Sequence, residues 1–140
     1  MEKRFTLDFQ VRDYELDQFG VVNNAAYQHY LEHTRHEFLV SIGIGPAEVA
    51  AAGLSLALSR IEIRYLSPLR SREAFRVELN VSRLTGVRAE FDQRILRLPG
   101  EEPVLEARVE AVFLDRLGRP MRIPREHAAG LRAWLVDSED

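Results

Sequence analysis

Ala25-Ala26-Tyr27-Gln28-His29-Tyr30-Leu31-Glu32-His33-Thr34-Arg35-His36-Glu37-Phe38-Leu39-Val40-Ser41-Ile42 is the one long stretch whose apolar spacing is helical. Tyr27, Leu31, Thr34 and Phe38 recur three and four residues apart, with Tyr30 on the flank, and make one mostly apolar stripe. Asn23 or Asn24 caps the helix, because a short amide side chain can accept from the first free backbone N–H groups. Gly43 and Gly45 end it, since glycine takes the left-handed conformation at little cost. A single helix of this length needs a broad apolar surface to cover its stripe.

The rest of the chain supplies that surface as strands. Phe5, Leu7, Phe9 and Val11 alternate with polar residues, the period of a strand with one buried face. A polar loop over 12–24 follows, marked by Gly20 and two asparagines. Beyond the helix, 46–52 reads as a short second helix stopped at Gly53. Leu54, Leu56 and Leu58 then lie in one phase and Ile61, Ile63 and Tyr65 in the other, which predicts a bulge near Ser59–Arg60. Phe75, Val77, Leu79 and Val81 alternate cleanly. Ala89, Phe91 and Ile95 continue the pattern with one polar break at Gln93, and Leu105, Ala107, Val109, Ala111 and Phe113 form the last strand. Turns fall at Ser67-Pro68, Thr85-Gly86, 98–101 and 117–120. A terminal helix over 125–136 places Leu131, Trp134 and Leu135 on one side. Strands joined by short turns are normally antiparallel neighbours. The expectation is an α+β fold in which a curved five-stranded antiparallel sheet wraps around one long helix, with residues 1–140 forming one domain.

Composition narrows the function classes. The chain has 140 residues, 46% hydrophobic and 29% charged, a size that suits one core rather than two. A formal net charge of −3 gives no basic footprint, which argues against nucleic acid as the main partner. With no cysteine there is no disulfide, no thiolate-held metal and no cysteine nucleophile. No apolar run approaches the roughly 20 residues that span a bilayer. The opening residues MEKRFTLDFQ lack the apolar stretch of a secretory signal. These points predict a cytoplasmic enzyme or binding module.

The polar loop holds the chemistry. Asp17 precedes a helix start whose N–H groups have no intrahelical acceptor and carry partial positive charge. A carboxylate beside such donors makes two halves of an acyl-transfer site, one to attack or activate water and one to polarise a carbonyl. The residues alone favour a purely structural role, with Asp17 fixing the loop through backbone N–H bonds and Gly20 permitting a turn. His29-Tyr30-Leu31-Glu32-His33 matches the inverted zinc-protease motif. However, His29, His33 and His36 project opposite the apolar stripe, and no second motif fixes a third ligand. No metal is therefore expected. His127 stands alone.

Asp17-Gln18-Phe19-Gly20-Val21-Val22-Asn23-Asn24-Ala25-Ala26-Tyr27 resembles the signature of the 4-hydroxybenzoyl-CoA type of hotdog-fold thioesterases. The longer phrase through Leu39 is similar to one subgroup, the plant and bacterial acyl-acyl-carrier-protein thioesterases related to methylketone synthases. Ile63-Arg64-Tyr65-Leu66-Ser67-Pro68-Leu69-Arg70 resembles the family's strand end and proline turn. The resemblance implies a hotdog fold and hydrolysis of an acyl thioester on acyl carrier protein or coenzyme A. It implies Asp17 as nucleophile or general base and the backbone N–H groups of Asn24 and Ala25 as the oxyanion site. Many members have histidine where this chain has Asn24, so Asn24 is left to orient water or substrate. Related polyketide thioesterases implicate a helix arginine, a place that Arg35 occupies here; the alternative for Arg35 is an ion pair with Glu32 or Glu37.

Gly20, Asn23, Tyr27, Tyr30 and Leu31 complete the expected substrate contacts, with the acyl chain along the long helix. Arg70 and Arg88 are candidates for the phosphates of coenzyme A or phosphopantetheine, which enter as part of the substrate rather than as a separate cofactor. The plainer reading of these arginines is a solvated sheet face balanced by glutamates. One uncovered sheet edge, together with the family likeness, predicts a homodimer or homotetramer with sites between subunits. The rival readings are a non-catalytic acyl or carrier-protein binding module of the same fold, and a hotdog dehydratase, which the loop disfavours for want of a catalytic histidine.

Overall fold

The computed structural model describes residues 3–136. The order is β1 (Phe5–Gln10), a 3-10 turn (Asp13–Glu15), α1 (Asn24–Ser41), α2 (Pro46–Ala51), β2 (Ser55–Tyr65), β3 (Ala74–Leu84), β4 (Arg88–Arg97), β5 (Glu102–Leu114), β6 (Pro120–Met121) and α3 (Arg125–Arg132). The strands form one antiparallel sheet in the order β1-β3-β4-β5-β2, with β6 added beside β5.

Alternation dictates which face is covered. Phe75, Val77, Leu79 and Val81 all point inward and are fully buried. The stripe of α1 lies on them. Near its N-terminus Tyr27, Tyr30 and Leu31 join Val11, Leu69, Phe75 and Leu105 in one cluster. Nearer its C-terminus Phe38 packs with Ile44, Val49, Phe91 and Leu131 of the flanking helices and sheet. Aromatic rings lock the second cluster, with Phe38 edge-on to Phe5, Phe91 and Trp134.

The expected bulge is present, for the β2–β5 register shifts between Leu58 and Arg60. One element and one boundary differ from expectation. The sheet has a sixth strand, because the Asp115 carboxylate accepts the N–H groups of Leu117 and Arg119 and folds the chain back onto β5. The terminal helix ends at Arg132 rather than Val136. There the chain straightens, Leu135 bridges Val81 in parallel, and the Val136 N–H donates to the Val81 carbonyl. Pairing with β3 beyond the start of β1 at Phe5 replaces the last helical turn.

Candidate active site

Between β1 and α1 the chain makes a tight hairpin. Leu16 and Val22 form an antiparallel bridge, the Asp17 N–H donates to the Val21 carbonyl at 2.8 Å, and the Gly20 N–H donates to the Asp17 carbonyl at 3.1 Å. Gly20 sits at φ 78°, the left-handed corner that glycine takes without a Cβ penalty. At the tip Phe19 is 78% exposed. Asp17 is also exposed, and its Oδ1 accepts the Phe19 N–H at 2.8 Å and, at longer range, the Val21 N–H at 3.5 Å. Among the described residues its Oδ2 makes no hydrogen bond.

The hairpin is tied directly to the start of α1. Asn23 is the cap, its Oδ1 accepting the Ala26 N–H at 2.9 Å. Its own N–H and its Nδ2 both donate to the Glu15 carbonyl, at 3.0 and 3.2 Å. Asn24 and Ala25 follow, both exposed, and among the described residues their N–H groups meet no acceptor. A carboxylate and two free amides therefore lie at one end of the same helix. Those amides carry the partial positive charge of the helix terminus and suit an oxygen on which negative charge builds up.

A second loop braces the first. The Val22 N–H donates to the Leu69 carbonyl at 2.9 Å, and Val21 bridges Arg70. Arg70 thus lies beside the hairpin, with its own backbone N–H held by Glu73. Tyr27 and Tyr30 are each 4% exposed and Leu31 is fully buried, so all three belong to the core. Their polar ends are used within it. The Tyr27 hydroxyl accepts the Leu69 N–H, and the Tyr30 hydroxyl donates to Glu15 Oε1 at 2.7 Å. Burial raises both phenol pKa values above their ordinary range, and for Tyr30 the bond to Glu15 adds to the rise.

Arg35 and Arg88 lie elsewhere. Arg88 begins β4, at the far end of the sheet from the hairpin, and pairs with Glu110 at 3.4 Å. Arg35 points from α1 toward β4, where its Nη1 donates to Gln93 Oε1 at 3.0 Å, so its partner is Gln93 rather than Glu32 or Glu37. Gln93 is 1% exposed, and its Nε2 donates to the Leu31 carbonyl at 3.1 Å. Burial holds the Arg35 pKa below its ordinary value, opposed by the nearby Glu32. Arg35 also lines an apolar groove of about 390 Å³ with Leu39, Val49, Leu56, Leu58 and Phe91.

Two residues of this region were not assigned from the sequence. Gln93 carried a signal, as the one polar break in an apolar alternation. Glu15 carried none, since an acid in a polar loop is ordinary. His29, His33 and His36 are exposed along α1, and among the described residues no three His, Asp or Glu side chains gather to hold a metal.

Comparison with known proteins adds to this geometry. The model of the thioesterase-like superfamily matches residues 11–135. The acyl-acyl carrier protein thioesterase ATL3, chloroplastic, of Arabidopsis thaliana is 52% identical over 124 residues, 89% of this chain and 65% of that protein. Its counterpart ATL2, also chloroplastic, is 51% identical over 118 residues, 84% of this chain and 63% of that protein. The chain thus spans just under two-thirds of the length of these plant relatives. The 1,4-dihydroxy-2-naphthoyl-CoA thioesterase Slr0204 from Synechocystis superposes with a TM-score of 0.86 at 17% identity, covering 93% of this chain and 96% of that one, which establishes a shared fold.

Proposed function

The chain belongs to the thioesterase-like superfamily, and from that membership we propose that it hydrolyses an acyl thioester to the free acid and a thiol. The fold is the hotdog fold of that family. The substrate is a fatty or related acyl group carried on acyl carrier protein or coenzyme A, with the carrier's phosphopantetheine as part of the substrate.

The observation that carries this reading is the attachment of the Asp17 hairpin to a helix end with free amides. In the proposed site the amides of Asn24 and Ala25 hold the thioester oxygen. Asp17 either attacks the carbonyl carbon, forming an anhydride that water opens, or takes a proton from water that attacks it. In both cases the carbon–sulfur bond breaks, and the sulfur leaves as a thiolate and gains a proton. Gly20 and Asn23 shape and anchor the hairpin, Asn24 faces the water or substrate, and Arg70 beside the hairpin offers a cation for the carrier's phosphate.

Tyr27, Tyr30 and Leu31 are committed to the core, so the acyl chain is assigned to the apolar groove at Arg35 and Leu39. That groove begins at Glu32, 8 residues along α1 from Asn24, about 12 Å at about 1.5 Å per residue. An extended long-chain acyl group covers such a span. Asp17 is on an open surface, and among the described residues β2 pairs on one side only, with β5. Both support a homodimer or homotetramer in which a second copy closes the site. A cytoplasmic location stays part of this reading; no helix among the described residues is long and apolar enough to cross a membrane.

One observation favours the binding-module reading, namely that Asp17 Oδ1 already serves as a turn acceptor. A panel of acyl-carrier and acyl-coenzyme A thioesters, followed by free-thiol release, separates the two. The thioesterase reading expects turnover of at least one member. Tight binding of acyl carriers without thiol release supports the module instead.

A further inference from the structure

Glu15 is the hub through which the hairpin meets the helix. Its Oε1 accepts the Tyr30 hydroxyl at 2.7 Å and the Arg12 N–H at 2.8 Å. Its carbonyl accepts both the N–H and the Nδ2 of the cap residue Asn23. One residue thus holds the second turn of α1 with its side chain and the first with its main chain. Asp17 follows two positions later.

The other end of this link is rigid. The Tyr30 ring is buried, 4.7 Å from the Phe75 ring, 5.6 Å from Phe9 and 6.2 Å from Tyr27, centroid to centroid. Its hydroxyl is therefore fixed by the core of the sheet. The base of the hairpin is packed, with Val22 in the core and Leu16 against it, but its tip is not, for Phe19 is largely exposed. A short hydrogen bond from a core phenol to a carboxylate is among the stronger single ties available to such a loop. The sequence gives no reason for a carboxylate to be half-buried here unless it accepts such bonds.

We propose that Glu15 and Tyr30 are positioning residues that set the Asp17 carboxylate in register with the free amides of Asn24 and Ala25. This rests on the thioesterase reading above. The two residues touch neither substrate nor reacting atoms; they act by fixing where Asp17 stands. A displacement of about 1 Å at a reacting group can lower a rate by about 10²-fold, so loosening this tie lowers kcat while ground-state binding through the groove persists.

The test uses the whole chain as wild type, Tyr30→Phe, Glu15→Ala, Glu15→Gln and Asp17→Asn. Amide hydrogen exchange is read at Asp17, Phe19 and Val21, with core amides of β3 and β4 as reference. Kinetics are read on the best thioester of the panel, and Kd for its non-hydrolysable thioether analogue. Tyr30→Phe and Glu15→Ala are expected to speed hairpin exchange about 10-fold or more without moving the reference amides. They lower kcat by about 10–100-fold with KM and the thioether Kd within about twofold. Glu15→Gln keeps an acceptor oxygen and recovers most of the loss. Unchanged hairpin exchange overturns the proposal whatever the activities. Faster exchange with unchanged kcat, alongside an inactive Asp17→Asn, overturns it and leaves the thioesterase reading standing. A fully active Asp17→Asn overturns the proposal together with the catalytic role of Asp17, and no thiol release by the wild type on any thioester overturns the thioesterase reading itself.

Discussion

The hydroxyl of Tyr27 accepts the backbone N–H of Leu69 at 3.0 Å, joining the first turn of α1 to the loop that braces the Asp17 hairpin. Leu69 is fully buried, so this amide has no route to water. Tyr27→Phe keeps the ring and removes the acceptor. An unpaired buried donor costs about 1–3 kcal/mol, and a loss of that size is expected in urea unfolding with an unchanged m-value. A neutral result places the Leu69 amide within reach of another acceptor.

Alkaline pH acts on the same two tyrosines. Their folded pKa values lie above the ordinary 10.0, for burial first and, at Tyr30, the bond to Glu15 second. Above about pH 10 the unfolded chain loses these phenol protons while the folded chain keeps them. The unfolded state then binds fewer protons, so stability falls as pH rises through that range and is fully present below it. Chemical denaturation between pH 8 and pH 11 is expected to show this fall in the wild type. The double variant Tyr27→Phe/Tyr30→Phe should show a flatter profile; an equally steep one assigns the fall to other groups.

Gln93 ties the helix to the sheet at Arg35. Gln93→Leu leaves the half-buried guanidinium without its acceptor and the Leu31 carbonyl without its side-chain donor. A loss of about 1–3 kcal/mol is expected, measured by thermal or urea unfolding. The double variant Gln93→Leu/Arg35→Met should recover part of it, since removing both polar partners is far less costly than removing one. No recovery in the double variant shows that the two residues contribute independently.

Phe38 is fully buried against Phe5, Phe91 and Trp134. Phe38→Ala opens a cavity and should cost about 3–5 kcal/mol. Being remote from the hairpin, it should leave kcat unchanged at temperatures where the variant is folded. Unfolding curves and kinetics on one preparation check both parts.

The fold was legible because its signals are local and repeated. Phe75, Val77, Leu79 and Val81 announce a covered strand, and the phase change between Leu58 and Ile61 announces the bulge that the register contains. The end of α3 was not legible, since the pairing of Leu135 with Val81 depends on β1 leaving that edge of β3 open. In the loop, a turn at Gly20 and a cap at Asn23 or Asn24 could be read because turns and helix starts have short-range rules, and the packed chain selects Asn23. Tyr27 and Tyr30 read as substrate contacts because they lie on the stripe near the loop; only the packed sheet reveals that they are core, with their hydroxyls turned to Leu69 and Glu15. Glu15 was silent for the same reason, its partner lying fifteen residues away.

The role of Asp17 is tested by thiol release from Asp17→Asn beside the wild type. Asparagine keeps an oxygen to accept the Phe19 N–H, so the hairpin should persist, while the negative charge needed for attack or proton removal is gone. A drop in kcat of about 10²–10⁴-fold with unchanged thermal stability is expected. Wild-type turnover in Asp17→Asn would contradict it and leave Asp17 as a turn residue alone.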